Sequence, residues 1–163
     1  MANAIAYRYS SYFPLPIGQY RIGIFKANDD KVPLRVFDLP LQPDAFFTVL
    51  MSPGKIDLVN DTLNPKVTTG TILIRNYFPK VTIAVSAGAK RLNPALPYGQ
   101  SFEASGLPLS STSLSFAAAL ADGKKAEAGV DIDLKENKRA TVLIIPDSYG
   151  RFRARVTFDG KDL

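Results

Sequence analysis

The chain has 163 residues, 46% of them hydrophobic and 10% aromatic, and a formal net charge of +5 at pH 7. This apolar content excludes a disordered chain, and the length is enough for one large β-sandwich or two small ones. With no Cys and no His, the chain lacks disulfides, the usual general base near neutral pH and the commonest metal ligand. We therefore expect a protein that is not an enzyme and has no bound cofactor or metal.

The positive charge and a pI near 9.5 favour weak attraction to anionic partners such as acidic polysaccharide or an acidic protein face. Nucleic acid is not expected as a partner, because no helix motif, aromatic ribonucleoprotein signature or dense basic cluster is present. No stretch reaches the roughly 18 apolar residues of a membrane span. Residues 1–20 also lack the basic start and apolar run of a signal peptide.

Short alternating segments separated by proline, glycine and Asx turns predict strands throughout the first half of the chain. These predicted strands cover residues 5–13, 20–24, 34–41, 45–51 and 55–60. The third of them changes phase near Asp38, which predicts a β-bulge or an edge strand bounded by prolines. A turn is expected at Pro53-Gly54. Asn64-Pro65 and a low apolar content then predict a linker.

The second half continues the same pattern up to residue 158. Its predicted strands cover residues 71–77, 81–87, 91–96, 100–105, 112–120, 130–134, 140–145 and 151–158. The continuous apolar run at 140–145 predicts a central strand covered on both faces. In the last strand, Phe152, Ala154, Val156 and Phe158 are predicted to face the core. Arg151, Arg153 and Arg155 then face solvent.

One strand plan occurs twice in the chain. Leu15-Pro16 recurs as Leu107-Pro108, 92 residues later (107 − 15), and Thr48 recurs as Thr141, 93 residues later (141 − 48). The predicted fold is all-β, with two tandem antiparallel β-sandwich units of immunoglobulin-like or jelly-roll-like type. We place the first unit at residues 1–62, the linker at 63–70 and the second unit at 71–163.

The first copy lacks a counterpart of the two strands that open the second copy. We therefore expect the first unit to be N-terminally incomplete, with the chain starting inside it. A sandwich that lacks strands has bare edges, which invite pairing with another chain. A homodimer or strand exchange through the first unit is the expected outcome.

Each copy contains a Leu-Pro step, a strand, an Asp/Gly turn, a second strand and a Thr-Val-Leu or similar strand. This plan resembles the two-domain periplasmic protein of bacterial alginate O-acetylation and its relatives from acetylated-cellulose gene clusters. The resemblance covers residues 9–60 and 71–146. In the second copy it is carried by Thr71-Ile72-Leu73-Ile74-Arg75-Asn76, by residues 95–102, and by Ala117, Leu120 and Asp122-Gly123-Lys124.

The resemblance implies a periplasmic accessory or scaffold protein of exopolysaccharide O-acetylation that works beside periplasmic or membrane-bound acetyltransferases and is not itself an enzyme. It supplies no catalytic residues and no cofactor. Members of that family carry a signal peptide, and its absence here agrees with the expected truncated start. A carbohydrate-binding module, or a secreted β-sandwich repeat protein of another role, is the alternative.

The most pointed candidate site is an arginine ladder, Arg151, Arg153 and Arg155, with Tyr149 just before it. Three guanidinium groups on the solvent side of one strand can fork onto carboxylates, including uronates. Tyr149 could add an aromatic surface for a sugar ring. The structural interpretation of the ladder is an edge strand protected from aggregation by charge.

Two further candidates have a simpler structural explanation. Asp131 and Asp133 share one strand face and could act as paired carboxylates or hold a cation, but Lys135 continues that face, which favours plain solvation. The serines of residues 110–115 lack a His to activate them. The aromatic side chains Tyr77, Phe78 and Tyr98 lie at predicted turns and are expected to cover the sandwich core.

Overall fold

The computed structural model describes residues 14–43, 45–52, 55–60, 70–120, 122–136, 139–147 and 149–159. Their strands are β1 (Gly18–Lys26), β2 (Asp29–Leu41), β3 (Phe47–Ser52), β4 (Lys55–Asn60), β5 (Gly70–Asn76), β6 (Ile83–Ala87), β7 (Lys90–Leu96), β8 (Ser101–Leu107), β9 (Ser111–Ala119), β10 (Lys125–Asp133), β11 (Arg139–Pro146) and β12 (Phe152–Asp159). The predicted all-β fold is confirmed. No described segment forms a helix with the length and apolar character of a membrane crossing.

The described residues divide into two compact units. The N-terminal unit contains β1 to β4 within residues 14–60, and the C-terminal unit contains β5 to β12 within residues 70–159. The predicted strand at residues 5–13 and the turn at Pro53-Gly54 lie outside the described residues. Most of the predicted linker also lies outside them, and its last residue, Gly70, is the first residue of β5.

The C-terminal unit is a sandwich of two four-stranded sheets. One sheet has the strand order β10-β9-β6-β7 and the other β12-β11-β5-β8. Alternation places Leu114, Phe116 and Ala118 of β9 in the core, where they join Ile83 and Val85 of β6. On β12, Phe152 is buried in the core and Ala154, Val156 and Phe158 pack against it. The period of two therefore predicted the inward faces of both strands correctly.

The β11 strand lies at the centre of its sheet and is mostly buried, as its continuous apolar run predicted. It pairs with β12 in the antiparallel sense and with β5 in the parallel sense, so that Thr141 lies opposite both Thr157 and Leu73. The sheet is thus mixed, although the other strand pairs of this unit are antiparallel. The parallel pair joins segments far apart in sequence, which no local pattern indicates.

Asn76, at the end of β5, fastens the two sheets together. Its fully buried side-chain amide donates hydrogen bonds to the carbonyl oxygens of Val81 (2.7 Å) and Leu96 (2.9 Å). Its Oδ1 accepts a hydrogen bond from the Phe78 amide at 3.0 Å. Val81 lies shortly before β6 and Leu96 ends β7, and both strands belong to the opposite sheet. The Asn76 side chain therefore connects the end of β5 to the other sheet at two points.

Two local expectations need correction. The β1–β2 register runs regularly through Asp38, so no β-bulge lies there, and β2 is instead an edge strand that contains Pro33 and Pro40. The irregularity lies where Phe25 pairs with Pro33. Pro33 has no amide hydrogen to donate to the ladder, which explains the position of the irregularity. The strand predicted at residues 100–105 extends further, because Gly106 lies within β8, at a positive φ of 71° beside a register shift. Glycine tolerates that conformation, so the strand continues past it.

The N-terminal unit contains two antiparallel hairpins, β1–β2 and β3–β4. In the first, Tyr20 lies opposite Leu39. Adding the predicted offsets of 92 and 93 residues gives Thr112 and Ile132, which lie opposite each other in the β9–β10 hairpin. The β3–β4 hairpin corresponds in the same way to β11–β12, whose connecting turn is longer. This agreement of register supports the predicted repeat.

One pair of matching positions differs strongly in burial. Met51 of β3 is 47% exposed, whereas Ile144, its counterpart in β11, is 0% exposed. Ile144 packs in a core built from both sheets of the C-terminal unit. The same strand plan therefore has a full core in one unit and a partly covered core face in the other.

Candidate functional site

The arginine ladder begins in a tight turn that Asp147 organises. β11 ends at Pro146, and the Asp147 Oδ1 accepts hydrogen bonds from the backbone amides of Tyr149 and Arg151, both at 2.9 Å. Gly150 completes the turn at a positive φ of 75°, with its amide donating to the Asp147 carbonyl. This geometry starts β12 at Phe152 and directs the arginines of the ladder to the solvent side.

Two of the three ladder arginines share one carboxylate oxygen. The Arg151 Nε lies 2.7 Å and the Arg153 Nε 3.4 Å from Asp147 Oδ2. Arg155 lies on the same face, is exposed, and forms no ion pair with a described residue. Among the described residues, three positive charges against one negative charge leave this patch cationic.

Tyr149 belongs to the same patch. Its side chain is 81% exposed, and the Arg151 guanidinium carbon lies 4.9 Å from the centroid of its ring. That distance allows a cation–π interaction, which holds the ring in place above the turn. The structure thus brings Tyr149, Arg151 and Arg153 together around Asp147. We use the name arginine–tyrosine patch for Asp147, Tyr149 and the three arginines of the ladder.

Burial raises the pKa of Asp147, but hydrogen bonds oppose that effect. The Arg151 backbone amide and guanidinium and the Tyr149 amide all stabilise the carboxylate, and together they lower the pKa from 3.8 to about 2. The carboxylate is therefore ionised at any ordinary pH. Its negative charge is a fixed part of the patch.

The low pKa of Asp147 predicts how the turn responds to acid. Because the folded pKa lies below the ordinary value, the carboxylate stabilises the fold above about pH 4, and this stabilisation is lost as the pH falls towards about 2. An NMR titration of the Asp147 carboxyl carbon should give a midpoint near 2. In Arg151→Ala the midpoint should move up towards 3.8. A midpoint near 3.8 in the unchanged chain would contradict this geometry.

Two residues near the arginine ladder were not predicted from the sequence. Asp147 was not singled out, although an Asp followed three residues later by Gly is a turn signal. Arg75 of β5 is buried and lies in register with Leu143, which pairs with Arg155. Residues in register share a face, so Arg75 lies on the outer side of the same sheet as the ladder. Only its position inside an apolar strand could have pointed to it.

The other predicted candidates lie away from the ladder. Asp131 and Asp133 are exposed on β10, and Asp131 accepts a hydrogen bond from the Ser113 hydroxyl on β9. Within the described ranges, no three Asp, Glu, His or Cys side chains are grouped so that they could hold a metal ion. Tyr77 is buried and contacts Tyr98 edge-on, and Phe78 packs against Phe152, so these aromatics cover the core as expected.

The outer face of the β10-β9-β6-β7 sheet has a shallow depression of about 470 Å³. Small side chains line most of it, with Arg91 and Glu127 among the lining residues. It is broad and open, and its lining contains the hydroxyls of Ser86 and Ser115 without a His to activate them. The arginine–tyrosine patch is therefore the better candidate for binding.

Comparisons with known proteins give little further guidance. No protein-family model matches the chain, and no curated protein matches it. The chain is similar to a solved NMR structure of a protein from Eubacterium rectale, with 17% sequence identity and a TM-score of 0.39 over 62% of this chain and 98% of that one. A similarity at this level carries no inference about fold or function, which are argued from the residues themselves.

Proposed function

We propose that this protein is a periplasmic accessory or scaffold protein of exopolysaccharide O-acetylation that binds acidic partners and catalyses no reaction. The arginine–tyrosine patch is the observation that supports binding to acidic partners. Arg151 lies just before β12 and Arg153 and Arg155 lie on it, and Arg151 and Arg153 form ion pairs with Asp147. Arginine suits this role because its planar fork matches a carboxylate.

The chemistry of the patch selects carboxylate-bearing partners. A uronate polymer, or an acidic face of an acetyltransferase subunit, offers carboxylates to the exposed guanidinium of Arg155 and to the outer nitrogens of Arg151 and Arg153. Such a contact relieves the repulsion among three neighbouring cations. The periplasmic location and the acetyltransferase partners come from the resemblance of the strand plan, and the patch is compatible with both.

Charge reversal within the ladder tests the proposal. The double variant Arg153→Glu/Arg155→Glu should lose measurable binding to immobilised alginate, or to the periplasmic acetyltransferase of alginate O-acetylation, because two attractive charges become repulsive. Arg91→Glu is the matched control, since Arg91 is exposed on the other sheet. Binding should weaken as salt rises, because screening shortens the reach of surface charges. Unchanged binding by the double variant would refute the proposal.

A carbohydrate-binding module is the second candidate, favoured by the 81% exposure of Tyr149. Aromatic rings that project from a fixed turn can stack on a sugar ring, and this stacking does not require a charged polymer. Retention of neutral cellulose oligosaccharides that Tyr149→Ala abolishes would favour the module. Retention of an acetyltransferase without any glycan would favour the scaffold.

A further inference from the structure

The core face of the N-terminal hairpin β1–β2 is less covered than its counterpart in the C-terminal unit. Leu114 and Phe116 of β9 are only 2% and 1% exposed. Their counterparts in β1, 92 residues earlier, are Ile22 and Ile24, and both are half-buried. Both units thus have apolar residues at these positions, but the side chains of Ile22 and Ile24 in β1 are only partly buried.

In the C-terminal unit, the facing sheet covers the core side of Leu114 and Phe116, and β6 flanks them within their own sheet. β6 pairs in the antiparallel sense with the edge of β9 that faces away from β10, and β7 extends the sheet. Two hairpins, β10–β9 and β6–β7, thereby meet through their inner strands. Within residues 14–60 as described, β1 pairs with β2 alone, so its second edge has no counterpart of β6.

The two edges of the β1–β2 hairpin are not equivalent. β2 carries Pro33 and Pro40, which cannot donate backbone hydrogen bonds, and the charged residues 29–31 stand at its start. These are features of an edge that resists further pairing. β1 contains no proline, and its Arg21 is already paired with Asp38 at 2.9 Å. A strand added to this sheet therefore has to pair with β1.

We propose that β1 pairs with β1 of a second copy of this chain, in the antiparallel sense about a twofold axis. A twofold axis generates an antiparallel pair of identical strands without further adjustment. The resulting sheet has the order β2-β1-β1-β2, in which two hairpins meet through their inner strands as β10-β9-β6-β7 do in the C-terminal unit. The second copy thus supplies a hairpin at the place that β6–β7 occupies beside β9 in the C-terminal unit.

The repeat also places the axis. β9 pairs with β6 over Leu114 to Ala118, and subtracting 92 residues places the corresponding stretch of β1 at residues 22–26. The midpoint of that stretch is Ile24, so the two copies of Ile24 lie opposite each other. The two copies of Val36, on β2, are then separated by at least three strand spacings, roughly 14 Å.

Single cysteines test this arrangement cleanly, because the natural chain has none. Under mild oxidation, Ile24→Cys should form a disulfide-linked dimer, since the Cα atoms of an opposed pair lie within the reach of a disulfide. Val36→Cys is the control and should stay largely monomeric. Equal cross-linking of the two variants, or cross-linking of the control alone, would overturn the proposed pairing.

The unchanged chain gives an independent test that needs no substitution. Sedimentation should show a monomer–dimer equilibrium. Hydrogen exchange of every second amide in β1 should slow several-fold as the dimer forms, because alternate amides of an edge strand point away from its partner. Amides of β2 should not respond. A monomer at millimolar concentration, or concentration-dependent protection confined to another strand, would contradict the proposal without affecting the proposed function of the arginine–tyrosine patch.

Discussion

Replacing Asn76 with alanine should lower the free energy of unfolding of the C-terminal unit by about 3–5 kcal/mol, because buried groups then lose their hydrogen-bond partners. The Val81 and Leu96 carbonyls each lose a donor, and the Phe78 amide loses its acceptor. Unfolding should be followed in urea through the amide resonances of this unit. A chain of two units does not unfold as one two-state system, so each unit needs its own probe.

Asn93→Ala is the matched control for this loss. Asn93 accepts one hydrogen bond, from the exposed Ala95 amide at 2.9 Å, so its replacement should cost about 1 kcal/mol or less. Asn76→Asp separates hydrogen bonding from packing, because it keeps the shape and removes the donors. It should destabilise at least as strongly as alanine. Equal stability of the Asn76→Ala and Asn93→Ala variants would show that Asn76 does not join the two sheets.

The largest contrast between the two units is expected at one pair of equivalent positions. Ile144→Ala should cost about 2–5 kcal/mol, since it empties a fully buried site in the core. Met51→Ala, at the equivalent position of β3, should cost less than about 1 kcal/mol, because that side chain is largely exposed. The urea midpoint of each unit, followed by its own resonances, measures both effects. Similar costs at the two positions would mean that the core face of β3 is covered in solution.

The local sequence pattern predicted the strands and the faces of many of them. Alternation assigned the core side of β9 and β12, because side chains of a strand point to opposite faces in turn. It did not predict which strands pair. The parallel contact between β5 and β11 joins residues about 70 positions apart, and strand pairing at that distance leaves no periodic signal.

The candidate site was predicted in part for a similar reason. The outward direction of Arg153 and Arg155 follows from the period of two, and Tyr149 was noted just before the ladder. The roles of Asp147 and Arg75 depend on what each side chain meets in three dimensions. Gly150 signals the turn at Asp147, but not the ion pairs of Asp147 with Arg151 and Arg153. Arg75 is buried on a face shared with the ladder, which depends on pairing between strands distant in sequence.

The predicted repeat relates the fold to both proposals, which are binding by the arginine–tyrosine patch and self-association through β1. It identifies β1 as the counterpart of β9, which has strands on both sides, and so locates the edge at which a second copy is proposed to bind. It also identifies β4 as the counterpart of β12, which carries Arg153 and Arg155 of the ladder. β4 reads Lys55-Ile56-Asp57-Leu58-Val59-Asn60, without a ladder of arginines. The proposed binding function therefore belongs to the C-terminal copy, and the proposed self-association to the N-terminal one.

Cross-strand NOEs between Hα protons in the uniformly labelled chain test the duplicated strand plan most directly. We expect one register in both hairpins, with Tyr20 opposite Leu39 and Thr112 opposite Ile132. A slip of a single residue in β1–β2 would exchange its two faces. NOEs that show such a slip would contradict the account, because β1 and β9 would then present different residues to their cores.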